Sequence, residues 1–292
     1  MYRKTIIGIV IAIVAVGGLT RFLLGKEEPV KSPVQIRRMA ILGTCLPGCE
    51  EMWKQLGGTH FYGNRFGWPD YDKVESLGMK VFVNIRGEHG YPTELEIKRK
   101  VQQWKDRPVC GGYWCDQLGH EPDITNPPMH ERIRFYTAVR KYDADTQSHP
   151  VMEMFDMTEA NDFANNRYPG WANAFSDETH DLLLFDCYPP LDKSDEEMQQ
   201  IMKRVGWDKF ISKYPHKHQV IPQIAAYGNY RRGSIWVQYN YWKEKLGSPE
   251  FDNPYRGVIA VCFYKDETVR KNAEMRKEIK EVIADAMKQQ AK

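Results

Sequence analysis

Short apolar runs recur along the whole chain: Met39–Leu42, Thr59–Tyr62, Lys80–Asn84, Cys110–Cys115, Val151–Phe155, Leu182–Cys187, Val220–Ala225 and Val258–Phe263. Most are continuous rather than alternating, the pattern of parallel strands covered on both faces. The segments between them predict helices over Glu50–Leu56, Tyr71–Leu77, Thr93–Trp104, Met129–Tyr142, Thr158–Phe175, Asp195–Tyr214, Ser234–Leu246 and Glu267–Met287. Several carry their own start signals. Pro127 and Pro128 suit a helix entry, and Ser194-Asp-Glu-Glu197 is a capping box. In the last segment Met275, Ile279, Val282, Ile283 and Ala286 fall on one helical face. Strict alternation of strand and helix predicts the α/β class and a single (β/α)8 barrel rather than an open doubly wound sheet. No GxGxxG follows the first strand, so a nucleotide fold has no support.

Ahead of the first strand the pattern changes. Arg3 and Lys4 precede an unbroken apolar stretch from Ile6 to Leu19. Two readings fit residues 1–25: a cleaved signal peptide, with Ala15-Val16-Gly17 at the cleavage site, or a transmembrane signal-anchor over Thr5–Leu24 with its N-terminus inside. Residues 26–36 read as a linker and 37–292 as the barrel. Of the 292 residues, about 260 then remain for folding, near the roughly 250 of one such barrel. Both readings place the barrel outside the cytoplasm, membrane-anchored or secreted.

Charge sharpens this picture. Five of the 41 basic groups and two of the 39 acidic ones fall in residues 1–32, which leaves the rest with 36 basic and 37 acidic groups. A duplex-binding surface needs a basic excess, so nucleic acid is not an expected partner. Of the six cysteines, Cys45 and Cys49 form the most local disulfide candidate. Cys110, Cys115, Cys187 and Cys262 lie in strand-like runs, where a buried thiol competes with a disulfide.

In a (β/α)8 barrel the chemistry gathers at the C-terminal ends of the strands. Those positions hold Asn84 and Arg86 after strand 3, and Trp114, Asp116 and Glu121 at strand 4. Strand 5 has Glu153 and then Asp156, and strand 6 has Asp186 and Tyr188. Gln223 and Tyr227 follow at strand 7, Lys265 and Asp266 at strand 8. The mouth is thus acidic and aromatic, as cleavage of a sugar acetal requires: paired carboxylates for acid and base work, and aromatic faces for sugar rings. Asp156 and Asp266 fit helix caps equally well. Glu153 lies deeper, where an arginine inside the barrel is its competing partner. No metal site or cofactor is expected: strand 1 ends Leu42-Gly43-Thr44-Cys45 without a His-x-His, and His216-Lys217-His218 precedes strand 7, at the far end. A phosphate-binding glycine loop and a Gly-x-Ser-x-Gly elbow are also missing from the sequence.

Gly112-Tyr113-Trp114-Cys115-Asp116 followed by Glu121-Pro122 resembles the strand-4 "G-Y-Y-x-x-D-E-P" motif of glycoside-hydrolase-like TIM barrels. Asp186-Cys187-Tyr188-Pro189 is similar to their "D-x-Y-P" strand 6, and Arg140–Asp143 through Val151 to their passage into strand 5. The likeness extends over most of residues 38–265. It implies a glycosidase-type site with Glu121 as acid/base and Asp186 in the sugar subsite. Asp116 is a further catalytic candidate; Tyr188, Trp114, Tyr227, Arg86, Asn84, Lys265 and Glu153 are substrate-binding candidates. Two departures matter. Gln117–His120 separates Asp116 from Glu121, and strand 7 offers Gln223 where the retaining enzymes carry a nucleophilic glutamate. The expected function is therefore hydrolysis of an extracytoplasmic polysaccharide or glycan, with a non-catalytic carbohydrate-binding barrel and a structural envelope protein as the alternatives.

Overall fold

The computed structural model describes residues 39–44, 48–63, 69–118, 127–156, 178–212, 214, 219–247, 259–264 and 267–289. The chain divides into Met1–Pro33 and Val34–Lys292; the apolar leader, the linker and the helix expected over Thr158–Phe175 lie outside the described residues. Among the described residues no helix is long and apolar enough to cross a membrane.

Among the described residues the elements run β1 (Ala40–Thr44), α1 (Glu50–Leu56), β2 (His60–Gly63), α2 (Tyr71–Ser76), β3 (Lys80–Asn84), α3 (Glu94–Trp104), β4 (Cys110–Trp114), α4 (Met129–Tyr142), β5 (Met152–Asp156), β6 (Leu182–Asp186), α5 (Asp195–Ile201), β7 (Val220–Ala225), α6 (Ser234–Leu246), β8 (Ile259–Tyr264), α7 (Thr268–Lys271) and α8 (Ala273–Gln289), strand and helix alternating except between β5 and β6. The strands form one parallel sheet in the order β4-β3-β2-β1-β8-β7-β6-β5. A single parallel bridge, Tyr113 to Val151, with Tyr113 N–H donating to Pro150 O at 2.9 Å, brings its two edges together. This is a nearly closed α/β TIM barrel.

Side chains alternate along each strand. Ile41, Tyr62, Phe82, Trp114, Met152, Met154, Leu182, Leu184 and Ile221 fill the interior. The opposite positions, such as Val81, Phe155, Leu183, Phe185 and Val261, pack against the helical layer. The π-helical segment Met202–Ile211, which continues α5, lays Phe210 flat on Phe185 at 5.2 Å and on Phe155 at 5.8 Å. The single helix expected over Asp195–Tyr214 is thus α-helical only in its first third, Asp195–Ile201. The last helix is broken too: Asn272 is extended, and its Oδ1 accepts the Met275 N–H at 3.0 Å, so it caps a new helix. From α8, Glu278 accepts the N–H groups of Gly233 and Trp236 at 3.0 and 2.8 Å, capping α6 across the helical layer.

The seam between β4 and β5 depends on a glycine. The register slips between Val81–Cys110 and Phe82–Gly112, and Gly112 adopts φ +138°. A methyl group there would run into Pro150 O and the Phe82 ring. Gly112→Ala is expected to destabilise the fold by about 2–4 kcal/mol, read as a lower urea midpoint at unchanged slope. An unchanged midpoint would show that the seam yields without cost.

Candidate active site at the barrel mouth

Two clusters occupy the C-terminal end of the sheet. The first spans β6 and β7. The register sets Asp156, Asp186 and Gln223 side by side across β5, β6 and β7. Asp186 and Gln223 are buried, and Tyr188 is half-buried just beyond. Gln223 is held from both sides. Tyr62 O–H, which also lies 3.1 Å from Met154 Sδ, donates to its Oε1 at 2.8 Å, and its Nε2 donates to Tyr188 Oη at 2.7 Å. Because Tyr188 accepts from Gln223, its own proton points elsewhere, and no acceptor for it is found among the described residues. Burial, reinforced by the negative charge of Asp186, raises the Tyr188 phenol far above its usual range, so it stays protonated and able to donate. Tyr227 meets its ring edge-on at 5.6 Å.

Tyr62 can reach Gln223 because β1 offers Gly43 opposite it; any Cβ at that position would overlap the phenol. In the sequence Tyr62 carries no functional signal, since a tyrosine inside an apolar run looks like core. A glycine near the C-terminal end of β1 was the available signal that another side chain crosses there.

The second cluster joins β3 and β4. Asn84 Oδ1 accepts the Asp116 N–H at 3.2 Å, and Arg86 Nε lies 3.1 Å from Asp116 Oδ1. The Asp116 carboxylate is almost fully covered, whereas the Arg86 side chain is half exposed. Trp114 links the clusters: it pairs in register with Asn84 and meets Tyr62 edge-on at 5.2 Å. Its side chain is fully buried, which makes it part of the wall rather than an open platform for a sugar.

Glu153 stands apart and corrects the expectation that placed it among the mouth residues. It alternates with the interior residues Met152 and Met154 and so faces the helices. There Arg132 of α4 donates through Nε at 3.0 Å to Oε1 and through Nη2 at 2.5 Å to Oε2. Thr179 O–H donates to the same Oε2 at 3.0 Å, and His180 Nδ1 lies 2.9 Å from it. An arginine does bind it, from outside the barrel. Glu121 and Lys265 lie outside the described residues, as do Asp266 and Cys45 of the proposed disulfide. The other five cysteines are buried. Among the described residues no group of three or more His, Cys, Asp or Glu side chains is placed to hold a metal ion.

No protein-family model matches the sequence, and no curated protein matches it. Solved structures do resemble the fold. A GH18 chitinase from Pseudoalteromonas aurantia aligns at TM-score 0.47 and 10% identity, over 85% of this chain and 99% of that one. The catalytic domain of a beta-amylase from Paenibacillus polymyxa aligns at TM-score 0.47 and 10% identity, over 86% and 99%. KGPDC from Streptococcus mutans aligns at TM-score 0.40 and 8% identity, over 87% and 98%. The neighbours thus include a chitinase and a beta-amylase alongside KGPDC, a protein of another name. Their activities are not carried over at such identities; the barrel itself rests on the strand order and register above.

Proposed function

We propose that the protein is a glycoside-hydrolase-like barrel that binds and cleaves an extracytoplasmic polysaccharide or glycan at its C-terminal face, tethered or exported by its N-terminal segment. The observation that carries this reading is the buried Asp186 carboxylate set beside a tyrosine whose proton is oriented by a Tyr62–Gln223–Tyr188 chain. A carboxylate next to an oriented hydroxyl donor suits a sugar ring with its hydroxyl groups and developing positive charge at the anomeric carbon. In this reading Glu121 gives its proton to the leaving oxygen as the glycosidic C–O bond breaks. Asp186 either bonds to the anomeric carbon or removes a proton from the attacking water, and Asp116 is the alternative in that role. Asn84, Arg86, Tyr188, Tyr227 and Lys265 contact the saccharide.

A second reading, a carbohydrate-binding barrel without hydrolysis, has one observation of its own. Gln223 stands where a strand-7 nucleophile would, and its amide is committed at both ends to tyrosines. A screen of residues 33–292 against a polysaccharide panel separates the two. The expected result is turnover of at least one polymer, reduced about 10²–10⁴-fold in Glu121→Gln. Equal turnover by both proteins would remove Glu121 from the mechanism; binding without turnover would establish the second reading.

A further inference from the structure

Beside the C-terminal end of β3, between the start of α2 and the facing side of α3, lies a cleft of about 880 Å³. Asn84 and Arg86 of the second cluster line it, so it adjoins that side of the proposed sugar site. Half-buried Tyr71 and Trp104, edge-to-face at 5.0 Å, supply aromatic wall, and α3 contributes Arg99 and Lys100. We propose that this cleft is a subsite for a carboxylate-bearing sugar, which makes the substrate an acidic saccharide; the proposal rests on the reading of the mouth as a saccharide site.

Three observations converge. First, Asn84 Nδ2 is shut off from solvent and has no hydrogen-bond partner among the described residues, although its Oδ1 is satisfied by the Asp116 N–H. A buried donor left unmade is costly, and a ligand oxygen would relieve it. Second, Arg99 and Lys100 are exposed on α3 and make no ion pair among the described residues. Third, the acids of the lining are outnumbered, and the more enclosed one is occupied. Glu96 turns back on the loop: its Oε1 accepts the Glu88 N–H at 3.0 Å and its Oε2 the Thr93 N–H at 2.6 Å, leaving Glu88 as the exposed acid. An exposed arginine and lysine without a close ion pair among the described residues, Arg99 only adding its field to that around Glu96, match a sugar ring carrying an oxyanion beside aromatic wall and an amide donor.

The test compares binding of an oligogalacturonate with that of a neutral cello-oligosaccharide of equal length to the full chain at low salt. The acidic ligand is expected to bind about tenfold tighter, and Arg99→Gln/Lys100→Gln to bring the ratio near one. Both positions are exposed, so the variant should keep the wild-type melting temperature. A ratio near one in wild type, or an unchanged ratio in the variant, would overturn the proposal. Turnover measured on the same samples keeps the two ideas apart. A preference for the acidic ligand without hydrolysis sinks only the catalytic reading, and hydrolysis without that preference sinks only the subsite. Failure of every saccharide to bind sinks both.

Discussion

Arg132→Ala will unfold at a much lower denaturant concentration than wild type, with a loss of about 3–5 kcal/mol. Arg132 and Glu153 are both almost wholly excluded from water, and the guanidinium makes a two-point contact with the carboxylate. Removing the cation leaves a buried negative charge supported only by Thr179 and His180. The pair ties α4 to β5 beside the seam that closes the barrel, so the loss falls where the sheet has a single bridge rather than a ladder. Replacing both partners, as in Arg132→Met/Glu153→Met, should recover much of the loss, because neither charge is then stranded.

The same pair predicts a pH dependence. Burial alone would raise the Glu153 carboxyl, but Arg132, aided by His180, outweighs it and holds the group down to about 2 against an ordinary 4.5. A folded-state value below the unfolded one means that the stabilisation is complete above about 4.5 and disappears as pH falls toward about 2. Without Arg132 the carboxyl has lost its main support and rises. The gap between wild type and Arg132→Ala should therefore narrow as pH drops through that window. Midpoints measured at pH 7 and pH 3 decide the matter; an equal gap at both would show that the destabilisation comes from lost packing alone.

Glu153 also marks where the sequence stops being informative. Strands of a parallel barrel are apolar on both faces, so a run such as Met152-Glu-Met-Phe155 carries no polar alternation to say which side is inward. Its position along the chain was legible; its face was not. Helix ends were easier, because they depend on local hydrogen bonds. Ser194 and Glu197 do form the capping box their spacing suggested, the Ser194 Oγ accepting Glu197 N–H at 3.2 Å and Glu197 Oε2 accepting Ser194 N–H at 3.1 Å. The π-helical stretch after Ile201 was illegible for the opposite reason. It follows from how Phe210 and Gly206 pack, Gly206 lying so close to Trp242 that a Cβ there would sit 2.6 Å from its ring. At the mouth, Asp186 and Tyr188 were readable from a two-residue spacing at a strand end. The glutamine bridge from Tyr62 to Tyr188 joins strands 2, 6 and 7, and no local pattern encodes a contact between residues 161 apart.

The carboxylate beside that bridge gives the largest functional effect expected. On any saccharide that the wild type hydrolyses, Asp186→Asn should lower kcat about 10³-fold or more while leaving binding within a few fold. Asparagine keeps the shape and one acceptor oxygen but can neither take a proton nor bond to an anomeric carbon. It also removes the negative charge beside Tyr188, which adds to burial in keeping that phenol protonated; burial remains, so Tyr188 stays a donor in the variant. Tyr188→Phe makes the complementary cut: it deletes the oriented O–H and strands Gln223 Nε2, while leaving the Asp186 carboxylate in place. If Tyr188 only positions the sugar, the variant should raise KM with kcat nearly unchanged; if its donor acts on charge developed in the transition state, kcat falls instead. Full activity in Asp186→Asn would remove this carboxylate from catalysis and shift the reaction to Asp116, whose contact with Arg86 keeps a second charged group ready at the opposite cluster.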